Sequence, residues 1–336
     1  MGEIIGLREE IGKIQAAIAD FETGKKLNIA IIAGPLGGKT TLSGEIEKIN
    51  LNRATKITFS EIVRDKKEIS LHDDAKRVII FDNCHFLYMR KPGGFDIFYD
   101  FLDMISSQER IFVTTWNLYT WKYLNEAFGL ERYFPVQIFI PAFSKEDLRL
   151  FILKRYGKNE IIFASGKQSR EEPLLYVIKY PFELASIGKK IFIPVPKINI
   201  LYLKNRLLNK HEIETAEEQV FEKIYLESKG NLGIALRIWE LGLDYPRMEP
   251  KKIGQFSFNI DLDYEEAFML SLILSYQGLK KTELTEITGS MIKMNEILFQ
   301  LSTQELIFKD EANSYRIRPE ALGSVIAYME KLRLVW

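Results

Sequence analysis

The stretch IIAGPLGGKTTL, residues 31 to 42, decides how this chain is expected to fold. An apolar run leads into it, as in a strand buried on both faces, and a helical pattern follows it. Residues Ala33 to Thr40 fit the order of a Gly or Ala, four further residues and then Gly-Lys-Thr. Between a strand and a helix, this order predicts a phosphate-binding loop.

The chemistry of that loop predicts its ligands. Its glycines let backbone N–H groups converge on phosphate oxygens, and the N-terminus of the helix adds partial positive charge. We expect Lys39 to reach the outer phosphates and Thr40 to place its hydroxyl on Mg²⁺. The sequence therefore predicts a site for ATP or ADP with Mg²⁺. The loop residues expected to line it are Gly34, Pro35, Leu36, Gly37, Gly38, Lys39, Thr40 and Thr41.

Strand and helix patterns continue to alternate after the loop. RVIIFD reads as a strand, GFDIFYDFLDMI as a helix, RIFVTTWN as a strand, YTWKYLNEAF as a helix and PVQIFI as a strand. This rhythm predicts an α/β fold, with a parallel sheet and helices on both faces, of the P-loop NTPase class.

The chain is long enough for more than one packed unit. We predict an α/β domain over residues 1–143 and a helical lid over 144–250. The lid carries a β-rich, basic insertion at about 159–210. Residues 251–336 show helix, short helix, helix and a strand pair, the order of a winged helix-turn-helix.

Composition limits the setting in which the protein works. The 336 residues include 46 Lys plus Arg and 46 Asp plus Glu, so the net charge is zero and no whole-chain field attracts a polyanion. Cys84 is the single cysteine, which excludes an intramolecular disulfide. No run approaches ~18 apolar residues, the length needed for a membrane span, and no signal peptide is evident. We therefore expect a cytoplasmic protein without a transmembrane segment.

The phosphate loop, the strand ending at Asp82 and the later segments resemble the AAA+ and STAND branch of P-loop ATPases. Their layout is similar to that of origin-recognition-type initiators and the archaeal ATPases related to them. The resemblance implies that Asp82 holds Mg²⁺ through water. It also implies that the backbone beside Ile5, Gly6 and Leu7 lines the adenine, although ordinary helix capping would explain this segment equally well.

The same resemblance suggests three further site residues. Asn117, with Thr115 next, would sense the outer phosphate from a strand tip. Arg132 would be offered to the phosphate of a neighbouring subunit, or would only stabilise a helix end. Relatives carry a lid arginine where this chain has Gly233, so Arg237, one turn further on, would either replace it or pair with Glu240.

The residue after Asp82 departs from the pattern of the family. Relatives place a glutamate there, which takes the proton of the attacking water and contributes ~10²–10⁴-fold to the rate. Asn83 can hold a water but cannot take its proton. His85 is an alternative base, because a histidine recurs near this position in STAND-like sequences. The substitution favours slow hydrolysis, and thus a switch.

Local charge gives two opposite indications about partners. From Asp261 to the end, eight bases minus twelve acids give a net charge of −4, so contacts with protein are favoured over DNA reading by the wing. From Lys179 to Lys210, seven bases minus one acid give +6, with aromatic residues between them. This stretch is either a solvated surface or a polyanion site.

The leading hypothesis is an ATP-binding, nucleotide-controlled assembly switch that engages another copy of itself or a protein partner. The alternatives are a DNA-binding initiator or loader ATPase and an actively hydrolysing motor. Salt-dependent DNA retention would favour the first alternative, and rapid turnover the second.

Overall fold

The computed structural model describes residues 5–71, 76–164, 175–184, 189–198, 215–254, 258–289 and 293–335. Within these residues, the chain forms a central α/β domain, a mainly helical segment that we call the lid, and a C-terminal unit that contacts both.

The central sheet has five strands, all parallel, in the order β2-β3-β4-β1-β5. Every residue of β1, β3 and β4 is buried, as the apolar runs predicted. The carboxyl ends of parallel strands share one edge, so the phosphate loop, Asp82 and Asn117 end there together. The strands are β1 Ile29–Ala33, β2 Ala54–Thr58, β3 Val78–Asp82, β4 Ile111–Asn117 and β5 Val136–Phe139.

Four helices flank this sheet: α1 Arg8–Glu22, α2 Lys39–Ile49, α3 Asp96–Ser107 and α4 Leu118–Phe128. Aromatic side chains fix α3 on the sheet, since Phe98 and Phe101 meet the ring of Trp116 edge-on. The predicted P-loop α/β fold is therefore confirmed.

The lid contains α5 Lys145–Leu153, α6 Ala216–Ser228 and α7 Leu232–Gly242. Side chains of Ser144 and Thr215 cap α5 and α6 by accepting from backbone N–H groups. The rings of Phe221 and Trp239 stack 5.6 Å apart and join α6 to α7. Its strands are β6 Ile162–Phe163, β7 Leu175–Leu184, β8 Lys189–Ile198, β9 Leu243–Asp244 and β10 Arg247–Met248.

The β-rich insertion contains an antiparallel ribbon. Strands β7 and β8 pair over their whole length, from Leu175 opposite Ile198 to Leu184 opposite Lys189. The remainder of the basic stretch predicted to be either a solvated surface or a polyanion site, residues 185–188 and 199–210, lies outside the described residues.

The C-terminal unit follows the predicted order of elements. A three-stranded sheet, β11-β13-β12, packs beside its helices. Residues 290–292 lie outside the described residues, and the third helix of this unit begins at Met294. The elements are α8 Tyr264–Tyr276, β11 Leu279–Lys280, α9 Lys281–Thr288, α10 Met294–Thr303, β12 Ile307–Lys309, β13 Ser314–Ile317 and α11 Leu322–Lys331.

This unit docks directly on the α/β domain. The Tyr276 ring stacks on Tyr88 at 5.0 Å, and its hydroxyl accepts from the Arg90 N–H at 3.1 Å. Glu286 pairs with Arg64 at 2.7 Å and with Lys91 at 2.8 Å. Helix α8 is buried on nearly all sides, because it packs both within its own unit and against the α/β domain. Among the described residues, no helix is both long and apolar enough to span a bilayer.

Candidate functional site

The phosphate loop has a backbone shape that suits an anion. Gly38 adopts the left-handed conformation, with φ 88°, immediately before α2 begins at Lys39. A Cβ on Gly37 would stand 3.1 Å from the Gly34 carbonyl oxygen, a tight contact that glycine avoids. No side chain caps the N-terminus of α2, which leaves its backbone N–H groups to a phosphate.

Lys39 lies inside the loop. Its Nζ donates to the carbonyl oxygens of Ala33 at 2.9 Å and Gly34 at 2.8 Å, and its side chain is almost fully buried. Burial lowers the pKa of Lys39 to about 7, although the nearby charge of Asp82 opposes this shift. A phosphate oxygen would give this ammonium a charged partner in place of two neutral ones.

A cavity of about 290 Å³ opens over the loop, and its walls come from all three units. The lid contributes residues from the ends of α5 and α7, and the C-terminal unit contributes Gln277. Sequence reasoning missed Gln277 and Arg155, since neither lies in a motif. The lining residues are Leu36, Gly37, Gly38, Lys39, Thr40, Thr41, Phe151, Arg155, Leu232, Gly233, Leu236 and Gln277.

The lid is bonded to the phosphate loop at its outer corner. The Asn231 amide donates to the Pro35 carbonyl at 2.9 Å, and the Gly233 N–H donates to the Leu36 carbonyl at 3.2 Å. A Cβ at Gly233 would stand 2.5 Å from the Cβ of Leu36. The arginine that relatives carry here would therefore collide with the loop, which gives a physical reason for this departure.

Arg237 does not pair with Glu240. Its Nε donates instead to Glu320 of the C-terminal unit at 2.8 Å. Thus the lid arginine links α7 to the residues before α11, and it is absent from the walls of the cavity over the loop.

A second cavity, of about 580 Å³, lies at the start of the chain, where an adenine was predicted. Ile5 and Gly6 line it, whereas the Leu7 side chain is buried in the core. Gly6 has φ 76°, and a Cβ there would approach the Phe143 ring to 3.0 Å. Helix α5 runs between the two cavities: Leu150 and Lys154 line this one, and Phe151 and Arg155 the other. The arrangement suits a base in one cavity and phosphates in the other.

Asp82 is fully buried at the end of β3. Its Oδ1 accepts from the Thr115 hydroxyl at 2.6 Å, and Thr115 in turn accepts from the Asn83 N–H at 2.8 Å. Its Oδ2 lies 3.0 Å from the Lys56 ammonium, an ion pair at an angle that does not make a hydrogen bond. Thr115, predicted as a second phosphate sensor, therefore holds the carboxylate of Asp82.

The residues present fit a nucleotide, and for Mg²⁺ they offer the Thr40 hydroxyl. Among the described residues, no group of three or more His, Cys, Asp or Glu could hold a metal by itself. Mg²⁺ keeps several waters and shares phosphate oxygens, so it needs few protein ligands. The Thr40 hydroxyl stands in the cavity wall, and the buried Oδ2 of Asp82 lacks a hydrogen bond. Thr40 would bind the metal, whereas Oδ2 of Asp82 already faces the Lys56 ammonium at 3.0 Å.

The surroundings of Asn83 and His85 do not suit a catalytic base. Asn83 has φ 66°, and its amide donates to the Phe59 carbonyl at 3.0 Å. His85 is buried, with Nδ1 lacking a hydrogen-bond partner. Burial, followed by the charges of Lys39 and Arg316, lowers the pKa of His85 well below its usual range. A histidine with so low a pKa is a weak base.

Asn117 is buried, whereas Arg132 is exposed. Asn117 is fully buried, accepts from the Tyr119 N–H at 2.9 Å and donates to the Leu274 carbonyl at 2.8 Å. It therefore caps α4 and holds the C-terminal unit at the strand tip. Arg132 is exposed on the short turn Leu130–Tyr133, where a neighbouring molecule can reach it, and its predicted role stays a prediction.

A buried parallel sheet whose first strand passes through a Gly-Lys-Thr loop into a helix defines a P-loop nucleotide-binding fold. The solved structures to which the chain is similar include the following three. A variant of Thermotoga maritima RuvB is 16% identical, with 96% of this chain and 95% of that one covered and a TM-score of 0.44. Aeropyrum pernix ORC2 is 10% identical, with 99% and 97% covered and a TM-score of 0.43.

The third is the Walker-type ATPase PABY2304 of Pyrococcus abyssi, 13% identical, with 96% of each chain covered and a TM-score of 0.42. No protein-family model and no curated protein matches the chain. ORC2 and the Walker-type ATPase are proteins of the kind that the sequence was predicted to resemble.

Proposed function

We propose that this protein is a nucleotide-controlled switch. ATP or ADP with Mg²⁺ binds between the α/β domain and the lid, and the bound nucleotide sets the position of the C-terminal unit. That position controls the engagement of a second copy or of a protein partner. The observation that carries the proposal is that the C-terminal unit supplies Gln277 to the wall of the phosphate cavity.

Gln277 is well placed to respond to a phosphate. It follows α8 directly, with φ 60°, and its Nε2 is buried without a hydrogen-bond partner. A buried amide donor without a partner is costly, and a phosphate oxygen would satisfy it. A ligand shifts a conformational equilibrium only through a difference in its contacts between the two states. A contact between Gln277 and the outer phosphate would supply that difference.

A second contact joins the same end of α8 to the sheet. Asn117 holds the Leu274 carbonyl, and the Thr120 hydroxyl donates to the Ser275 carbonyl at 2.8 Å. The last turn of α8 therefore lies between the tip of β4 and the phosphate cavity. A movement of the β4 tip or of the wall of the phosphate cavity would therefore shift the C-terminal unit.

Slow turnover follows from the residues after Asp82. Asn83 cannot take a proton from water, and His85 is buried with a lowered pKa. A general base contributes ~10²–10⁴-fold, so its loss slows the conversion of bound ATP to ADP. This suits a switch better than a motor.

The DNA-binding alternative rests on basic residues of the wing and of the insertion. Two wing bases are already paired: Lys280 with Glu61, and Arg316 with Asp310. These pairs favour contacts within the protein over contacts with phosphates. Salt-dependent retention of the chain on DNA, abolished by substituting wing lysines and arginines, would restore this alternative.

The test compares solution mass and amide hydrogen exchange without nucleotide, with ADP and with a slowly hydrolysed ATP analogue. We expect the exchange of α8 amides or the oligomeric mass to differ between ADP and the analogue. Gln277→Ala should reduce that difference, whereas Gln304→Ala, an exposed position on the same unit, should leave it unchanged. Identical mass and exchange in all three states of the wild type would refute the switch.

A further inference from the structure

The ammonium group of Lys56 lies between the phosphate-loop helix and the carboxylate that ends β3. Its Nζ is 3.0 Å from Asp82 Oδ2 and donates to the Ser43 hydroxyl at 2.9 Å. The side chain of Lys56 is only 12% exposed, and Ser43 and Asp82 are fully buried. No motif in the sequence pointed to this lysine.

The position of Lys56 is fixed by the sheet. Strand β2 pairs with β3 so that Thr58 stands opposite Asp82, and Lys56 lies two residues earlier on the same face of the strand. Its long side chain then reaches forward to the carboxylate. Ser43, on the second turn of α2, holds the ammonium from the other side and itself donates to the Thr40 carbonyl at 3.1 Å.

Both oxygens of Asp82 are therefore engaged within the protein. The Thr115 hydroxyl donates to Oδ1 at 2.6 Å, and the Lys56 ammonium neutralises Oδ2. A buried carboxylate that is already paired has little negative potential left for a second cation, and two cations repel strongly where water is scarce.

We propose that Lys56 is the resident counter-ion of Asp82 and holds the place at Oδ2 that a water of Mg²⁺ would need. The protein then binds nucleotide with little help from a divalent cation. This inference rests on the proposed nucleotide site, and it concerns how that site treats the metal.

The test measures the affinity of the full chain for ADP and ATP by calorimetry, once with MgCl₂ and once with EDTA. For the wild type, we expect the two affinities to differ by less than about threefold. In Lys56→Met the charge of Asp82 is released to the metal, and Mg²⁺ should raise the affinity by about tenfold or more. Binding of Mn²⁺ to the ADP complex, followed by electron paramagnetic resonance, should strengthen in the same variant.

Lys48→Met is the matched control. It removes the same charge from α2, where Lys48 is 75% exposed and pairs only with Glu45 at 3.5 Å. The ratio of its nucleotide affinity with MgCl₂ to that with EDTA should equal the wild-type ratio. The double variant Lys56→Met with Asp82→Asn removes both buried charges and should again show little dependence on Mg²⁺.

A strong Mg²⁺ requirement in the wild type, or an unchanged ratio in Lys56→Met, would overturn the inference while the proposed function stands. If Lys56→Met fails to fold, Lys56→Gln and the wild-type ratio still decide it. Absence of nucleotide binding by the wild type in both buffers would overturn the proposed function and this inference together.

Discussion

The Asn117 side chain donates to the Leu274 carbonyl across 2.8 Å, so the tip of β4 is bonded to the last turn of α8. The same carboxamide accepts from the Tyr119 N–H and caps α4. A residue predicted to sense phosphate therefore also holds the C-terminal unit. Asn117 is absent from the walls of the phosphate cavity, so its sensing role stays a prediction.

Asn117→Ala should loosen the docking of the C-terminal unit. It removes a helix cap, worth about 0.5–2 kcal/mol, and leaves a buried carbonyl unpaired at a further cost of about 1–3 kcal/mol. We expect lower thermal stability and faster amide exchange in α8. Asn125→Ala, on the exposed end of α4, is the control. Unchanged exchange in α8 would mean that this contact does not hold the unit.

Lys39→Ala should abolish ATP binding while the protein stays folded. The substitution removes the one ammonium that the phosphate loop holds, although two loop carbonyls lose a partner with it. Calorimetry measures the binding, and circular dichroism the fold. Lys48→Ala, at an exposed position on the same helix, should bind as the wild type does. Undiminished affinity in folded Lys39→Ala would show that the site lies elsewhere.

Much of this architecture could be predicted from the sequence. Buried parallel strands give near-continuous apolar runs, and the glycines and lysine of the loop have one function at that spacing, so the sheet and the loop were predicted. The contacts of Gln277, Lys56 and Arg237 could not be. Each arises from residues distant in sequence, such as Arg237 and Glu320, and a local pattern contains no information on such pairs.

Two glycines in helices should respond oppositely to alanine. Gly44 in α2 has open space at its Cβ position, so Gly44→Ala should stabilise by about 0.5–1 kcal/mol, the helix-propensity gain. In Gly233→Ala the new Cβ would stand 2.5 Å from Leu36, which should push the lid off the phosphate loop and weaken nucleotide binding. Thermal unfolding and calorimetry give the two readouts. Equal behaviour of the two variants would contradict the close packing of lid and loop.

The docking of the C-terminal unit should weaken in acid. Hydrogen bonds from Arg64 and Lys91 lower the pKa of Glu286 from 4.5 to about 2. A carboxylate whose pKa is depressed by folding stabilises the folded state fully when the pH is above its unfolded pKa. This contribution is lost as the pH falls from about 4.5 to about 2. The pairs are partly exposed, so we expect less than about 1 kcal/mol, and less still at high salt.

Glu286→Gln should remove this part of the acid dependence. Its exchange rates in α9 should change less between pH 6 and pH 2 than those of the wild type, a range that spans the pKa shift. Glu296→Gln, on the exposed side of α10, controls for loss of an acid. If acid changes α9 exchange in the wild type no more than in Glu286→Gln, then the pairs of Glu286 with Arg64 and Lys91 are not docking contacts.

Asn83→Glu should raise the rate of ATP hydrolysis. The carboxylate can take the proton of the attacking water, and we expect turnover to rise about tenfold or more, below the full ~10²–10⁴-fold of a general base. Two features of the position keep the gain small. Asn83 has φ 66°, a conformation that asparagine tolerates better than glutamate, and its amide bond to Phe59 would be lost.

Asn83→Gln distinguishes the effect of the new carboxylate from the effect of a longer side chain at this backbone position. It has the length of glutamate and loses the compact amide in the same way, yet it has no carboxylate, so its turnover should not exceed that of the wild type. Steady-state release of phosphate measures all three proteins, with His85→Ala as a fourth. If the wild type already turns over quickly, Asn83→Glu changes nothing and His85→Ala stops the reaction, then the buried histidine is the base after all. Such rapid turnover would make the protein a motor rather than a switch.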